Sequence, residues 1–220
     1  MGAGMSDGDK ADQVSQRIAT PLSFHNCPTR RRAIPYPNSR DVTYRPWSLT
    51  PSVVARSDYA GNMGSEGYWA GSSPSSYSAG DDLSEQEWID KYQGGNTYDG
   101  VTYRRSQVVA AMIRDGLSNT YMVGEKYLRP EDYTTGGIGN DDQNLYIGHD
   151  QDILVGTWRT PAQDRPGWST SLRFGSAHTG GFNVTLCDAS VRTISYSIDP
   201  AVHRAMGARA SGEVIDQSGF

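Results

Sequence analysis

The residues best suited to chemistry lie in one acidic stretch, Asn140-Asp141-Asp142-Gln143-Asn144, followed by Asp150 and Asp152. Hard oxygen donors crowded on a loop suit Ca²⁺, which takes about six to eight oxygen ligands at roughly 2.3–2.6 Å. Asp141, Asp142, Asn144, Asp150 and Asp152 are therefore the candidate ligands of a calcium ion. The spacing departs from an EF-hand loop, so a solvated acidic loop is the plainer alternative. A second pairing is His178 and Asp188, with nine residues between them. Between them Phe182, Val184 and Leu186 alternate with Asn183, Thr185 and Cys187, the period-two pattern of a strand. A strand rises about 3.3 Å per residue, which sets the pair roughly 20 Å apart and forbids a shared proton or metal. Structural roles follow: His178 anchors the loop before the strand, and Asp188 bonds backbone amides in the turn after it.

A serine nucleophile is conceivable at Ser118, within Asp115-Gly116-Leu117-Ser118-Asn119-Thr120, but no base adjoins it in sequence. The same residue types build a turn whose Asx and Ser side chains bond the backbone ahead of a strand. Glu125 falls in that apolar strand beside Lys126, and adjacent strand residues face opposite sides. A buried Glu125 requires a partner, for which Arg173 and Arg192 are the candidates. No catalytic residue is assigned, and the chain reads as a non-enzyme.

The elements that hold these residues point to an α+β fold. We expect a mainly antiparallel β-sheet with long Gly/Tyr/Pro-rich loops and short helices. Residues 1–20 form a lead segment with a helix end around Asp12–Ile18, and 21–220 form one head domain. Six prolines between Pro21 and Pro51 exclude central strands there and leave loop with at most an edge strand. Ser84 followed by Glu87 is a capping box for a short helix. Ser106–Ile113 and Thr120–Leu128 are expected strands, Gly181–Ile198 a β-hairpin, and Pro200–Met206 a helix capped by Asp199.

Composition narrows the partners. The net charge of −5 argues against nucleic acid, whose binding needs a positive field. Arg30-Arg31-Arg32 reads as a solvated surface cluster. No run approaches the roughly 18 apolar residues of a membrane helix, and Met1–Ala11 has no apolar signal core. Cys27 and Cys187 form no metal or redox motif by spacing; they are either a long-range disulfide or two thiols.

Four phrases, taken in order, resemble a large paralogous family of pilin-like proteins of unknown function, best known from planctomycete bacteria. They are Phe24-His25-Asn26-Cys27-Pro28-Thr29-Arg30-Arg31; Asp58-Tyr59-Ala60-Gly61-Asn62-Met63-Gly64; Arg114 to Thr120 continuing to Val123-Gly124-Glu125-Lys126; and Phe174 to His178 through Asp188-Ala189-Ser190-Val191. The last is similar to the family's C-terminal H-x(9)-D-G-S-V signature, with Ala189 where the family has Gly. A two-residue type I′ turn needs positive φ at that position, so the expectation is a longer turn or strain of about 1 kcal/mol. The resemblance marks Cys27, Asp115, Gly116, Ser118, Asn119, Thr120, Gly124, Glu125, His178 and Asp188 as structural signature residues. It implies a pilin or pseudopilin-like head at the cell surface or in extracellular or periplasmic space. It also implies a prepilin-type apolar helix ahead of the present start, and self-association or contact with other pilin-like subunits. Some pseudopilins hold calcium in a C-terminal loop, which points to the same acidic stretch. Function is then structural or display. The rivals are a carbohydrate- or solute-binding module using Trp47, Trp69, Trp88, Trp158 and Trp168 with tyrosines, its partner a glycan or a surface protein, and, more remotely, a hydrolase.

Overall fold

The computed structural model describes residues 4–40, 44, 49–67, 74, 77–93, 95 and 97–213. The first helix, α1 (Asp7–Ile18), starts at a capping box in which Ser6 and Asp9 satisfy each other's backbone N–H groups. It ends where the expected helix ends and begins one turn and a half earlier. The proline-rich stretch then carries a 3₁₀ turn at Ser23–His25 and a two-residue strand, β1 (Tyr36–Pro37), paired with β2 (Val53–Val54). β3 (Tyr59–Asn62) is followed by α2 (Tyr77–Asp81) and α3 (Glu85–Tyr92), the latter opened by the Ser84–Glu87 box.

Beyond these lie β4 (Tyr121–Glu125), β5 (Leu154–Val155), β6 (Ala162–Gln163), β7 (Gly175–Ser176), β8 (Gly181–Leu186), β9 (Val191–Ser195) and α4 (Pro200–Gly207). The main sheet has the order β5-β3-β4-β8-β9, antiparallel except for β3 beside β5. The fold is α+β. No described helix is long and apolar enough to cross a membrane.

One expected strand is absent. Ser106–Ile113 holds only a 3₁₀ turn at Ala110–Met112, with Val109 and Met112 exposed. Val108 to Ile113 is an unbroken apolar run, and without alternation periodicity cannot assign it to a sheet face. The hairpin and the last helix form as expected, and Asp199 Oδ1 accepts from Ala201 N–H at 2.7 Å. The hairpin turn combines both anticipated consequences of Ala189. Its loop is lengthened, with Ala189 N–H bonded to Leu186 O and Leu186 N–H to Ser190 O, and Ala189 sits at φ 67°.

The core joins Tyr121, Phe174, Phe182, Val184, Leu186, Ile194 and, from α4, Met206. Phe174 stacks on Phe182 at 5.5 Å between centroids, with Tyr121 edge-on to both. Such pairs add about 0.5–1.5 kcal/mol each beyond area burial. Gly124 permits close packing here, because an added Cβ would lie 3.0 Å from the Phe174 ring and 3.2 Å from Val184 and would push both aside.

Long loops are bound to this sheet by buried charge. Arg30 and Arg31, expected on the surface, are 8% and 5% exposed. Arg30 forks onto Asp164 at 2.7 and 3.0 Å and donates to the carbonyls of Asp58, Lys126 and Gly175. Arg31 bridges Asp58 (2.7 Å) and Asp141 (2.5 and 2.8 Å). Burial opposes the Asp141 charge, but Arg31 and Lys126 outweigh it and hold its carboxyl below the usual range. A charge run is normally solvated, yet these guanidiniums find planar carboxylates and carbonyls that match their forks. Those partners come from distant segments, so the sequence run alone does not reveal them.

Candidate functional site

Cys27, Glu125 and His178 arrive from three separate elements. Cys27 follows the Ser23–His25 turn, and its N–H donates to Asp58 Oδ2 at 2.7 Å, while Asp58 N–H donates to His25 O. This fixes the segment to the start of β3. Glu125 closes β4 opposite Tyr59 and is fully buried. His178 lies between β7 and β8 in a loop held by Ser176 Oγ, which accepts its N–H, and by Tyr196, whose hydroxyl donates to His178 O. The anchors of that loop are thus Ser176 and Tyr196, and the His178 ring turns toward the other two residues.

The three side chains converge on one atom. His178 Nε2 is 3.3 Å from Glu125 Oε1 and 3.8 Å from Cys27 Sγ. The three ligand-type atoms all lie within 4.8 Å of one another. Glu125 Oε2 accepts from Asn183 N–H at 2.7 Å, whereas Oε1 accepts no hydrogen bond. Arg173 and Arg192, the partners expected for Glu125, are replaced by His178 and this backbone amide. A Cys–His–carboxylate relay needs the acid on one imidazole nitrogen and the nucleophile on the other. Here both address Nε2. Burial, followed by the Glu125 charge among the raising influences, pushes the Cys27 thiol up, away from a reactive thiolate. Burial, then Glu125 and Cys27, raise the Tyr59 phenol to about 12.

The acidic loop is organised differently. Lys126 Nζ reaches Asn140 O at 2.5 Å, Asp152 O at 2.6 Å and Asp141 Oδ1 at 3.3 Å. Two of these oxygens are backbone carbonyls, and one, from Asp141, belongs to a side chain that the sequence offered to calcium. Asn144 Oδ1 accepts from Tyr146 N–H, Asp150 Oδ1 from Asp152 N–H, and Asp152 Oδ1 from Gln143 N–H. Asp142 pairs with Arg40 at 3.1 Å. Burial raises the Asp142 carboxyl to about 6 despite Arg40. Burial also pushes Asp152 well up, with Asp150 adding to it against Lys126.

The other signature residues serve turns. Asp115 accepts from Ser211 N–H and Gly212 N–H at 2.6 and 3.0 Å, Asn119 Nδ2 donates to Asp115 O, and Thr120 Oγ1 donates to Gly116 O. Gly116 takes φ 100°, and Ser118 sits in the 3₁₀ turn Leu117–Asn119. Asp188 Oδ1 accepts from Ser190 N–H at the far end of β8 from His178.

The cysteines do not pair. Both are free: Cys27 lies beside His178 before β8, and Cys187 Sγ lies 3.8 Å from Tyr121 O beyond its other end. A six-residue strand spans about 20 Å, far beyond the roughly 7 Å limit between Cα atoms of a disulfide. Burial raises the Cys187 thiol to about 11.

A serine–histidine contact also exists, Ser57 Oγ to His25 Nδ1 at 3.1 Å. Ser57 donates its proton to Tyr59 O and is 2% exposed, so it offers neither a free nucleophile nor access. Of the tryptophans, Trp47 and Trp69 lie outside the described residues. Arg105 covers Trp88 at 4.9 Å, and Arg173 covers Trp168 at 4.7 Å. Trp158 packs with Met63, Tyr98 and Leu154.

Residues 3–201 match the model of a family described as protein of unknown function (DUF1559). The chain belongs to that family. No curated protein and no solved structure matches it significantly. In this family member, Cys27 and His178 were legible as separate signature residues. Their meeting with Glu125 was not, because Cys27 and His178 stand 151 positions apart, with the strands from β1 to β7 between them. The shared tendency of Cys, His and Glu to ligate metals was the one signal that could have joined them.

Proposed function

We propose that this DUF1559 chain is the head of a pilin-like subunit, displayed at the cell surface, and that its role is structural rather than catalytic. The carrying observation is the inward use of charge. Arg30, Arg31, Asp58, Lys126, Asp141 and Asp164 are spent on stapling long loops to the sheet. A display head gains from such loops only when they are held rigid, and buried ion pairs do this where no disulfide helps. The open edge of the sheet at β9, with Val191 69% exposed, suits lateral contact with a second subunit. Protease shaving of intact cells that make the full gene product tests the reading. Loss of the head from intact cells is expected. Its protection until the cells are lysed would overturn surface display.

A solute-binding role is the second reading. It is favoured by a cleft of about 490 Å³ lined by Trp88, Tyr103, Arg104, Arg105, His149 and Leu154. Arg105 already stands over the Trp88 ring, so an anionic solute suits this cleft better than a sugar needing a bare indole face. Saturable quenching of tryptophan fluorescence, lost in Trp88→Phe, would support it.

A further inference from the structure

We propose that Cys27, Glu125 and His178 bind a thiophilic divalent cation, Zn²⁺ being the best fit, with a fourth position open to solvent. Three observations carry this beyond a structural role for the head. The ligand atoms converge on a point instead of forming a chain. Zinc takes nitrogen and oxygen at about 2.0–2.2 Å and sulfur at about 2.3 Å, so tetrahedral ligands sit roughly 3.3–3.6 Å apart. The observed separations from Nε2 are 3.3 Å to oxygen and 3.8 Å to sulfur.

Glu125 Oε1 is the second observation. It is a fully buried carboxylate oxygen that accepts no hydrogen bond and is aimed at His178. An ion there would compensate the cost of burying it. The other oxygen is already oriented by Asn183 N–H, the kind of supporting contact that fixes a ligating carboxylate.

The third is scaffold and access. Cys27 is held through Asp58, and the His178 loop through Ser176 and Tyr196, so two of the ligands stand on braced backbone. The His178 side chain is 37% exposed, which leaves a route for the ion and for a water as fourth ligand. A thiolate and an imidazole select zinc over calcium or magnesium, which separates this site from the acidic loop. Binding releases the Cys27 thiol proton to solvent as the metal–sulfur bond forms.

Cobalt(II) titration of the reduced, chelator-treated chain tests the proposal, because a thiolate–cobalt bond gives a charge-transfer band that oxygen ligands do not. One equivalent of Co²⁺ should produce that band, and Zn²⁺ should displace it. Cys27→Ser should abolish it, while Cys187→Ser and Asp142→Asn should leave it intact. His178→Ala removes a half-exposed side chain and should weaken binding by roughly tenfold or more. Should Cys27→Ser fail to fold, His178→Ala decides. No band at one equivalent, a band that survives Cys27→Ser, or unchanged affinity in His178→Ala would each overturn the site.

Discussion

Glu125 and Lys126 are neighbours at the end of β4, both fully buried, and they serve opposite sides of the strand. Glu125 meets Cys27, His178 and Asn183, while Lys126 enters the loop of Asn140, Asp141 and Asp152. Removing one partner of a buried ion pair costs about 3–5 kcal/mol. Lys126→Met should therefore lower the thermal midpoint by roughly 10 °C, since about 1 kcal/mol moves a chain of this size by 2–4 °C. Glu125→Gln keeps an acceptor for Asn183 N–H and should cost about 1 kcal/mol or less. Thermal unfolding of the two variants separates these outcomes, and equal losses would contradict the division of roles.

Arg31→Lys tests the bidentate bridge between Asp58 and Asp141. A lysine supplies a point charge that cannot fork onto both carboxylates. We expect a loss of about 2–3 kcal/mol in urea unfolding with little change in the slope. A neutral result would mean that charge alone, without the fork, holds the loops.

Ala189→Gly should stabilise the chain. Ala189 holds φ 67°, where an L side chain costs about 1 kcal/mol that glycine avoids. A rise of roughly 2–4 °C in the midpoint is expected. An unchanged or lower midpoint would show that the turn carries no strain.

Acid stability should show two opposing contributions. Burial lowers His203 from 6.5 to about 3, so the unfolded chain binds the proton first. Its contribution is complete above pH 6.5 and is lost as pH falls toward 3. Asp142 is raised from 3.8 to about 6, so its contribution has the other sign. That term is complete below pH 3.8 and is lost as pH rises through 6. Between pH 6 and 4, His203→Phe should flatten the fall in midpoint and Asp142→Asn should steepen it. Parallel profiles for both variants and the parent chain would refute the assignment.

Millimolar Ca²⁺ probes the acidic loop. With Lys126 seated in that loop, we expect no shift in midpoint when Ca²⁺ is added to the chelator-treated chain. A ligand bound only by the folded state would raise it. A rise reversed by EDTA and lost in Asp142→Asn would show that Asp142, Asp150 and Asp152 recruit an ion beside that ammonium.

Local pattern was enough for the β8–β9 hairpin, the Ser84 and Asp199 caps, and the Asn119 and Thr120 contacts of the turn before β4, because each depends on residues within a few positions. Alternation and capping are short-range signals. The same signals misplaced Ser106–Ile113, where an apolar run has no alternation to show whether a strand forms.

The sequence by itself determined the α+β class, the hairpin with its awkward alanine, and the family phrases that contain Cys27, Glu125 and His178. Only the tertiary structure decided how charge was used. Arg30 and Arg31 went inside because Asp164, Asp58 and Asp141 arrive from elsewhere to pay for their desolvation. Lys126 was drawn into the acidic loop for the same reason, and the two cysteines were parted by the length of β8. Burial of a charge depends on partners brought together by long-range closure, and that information is spread over the whole chain rather than written beside the residue it governs.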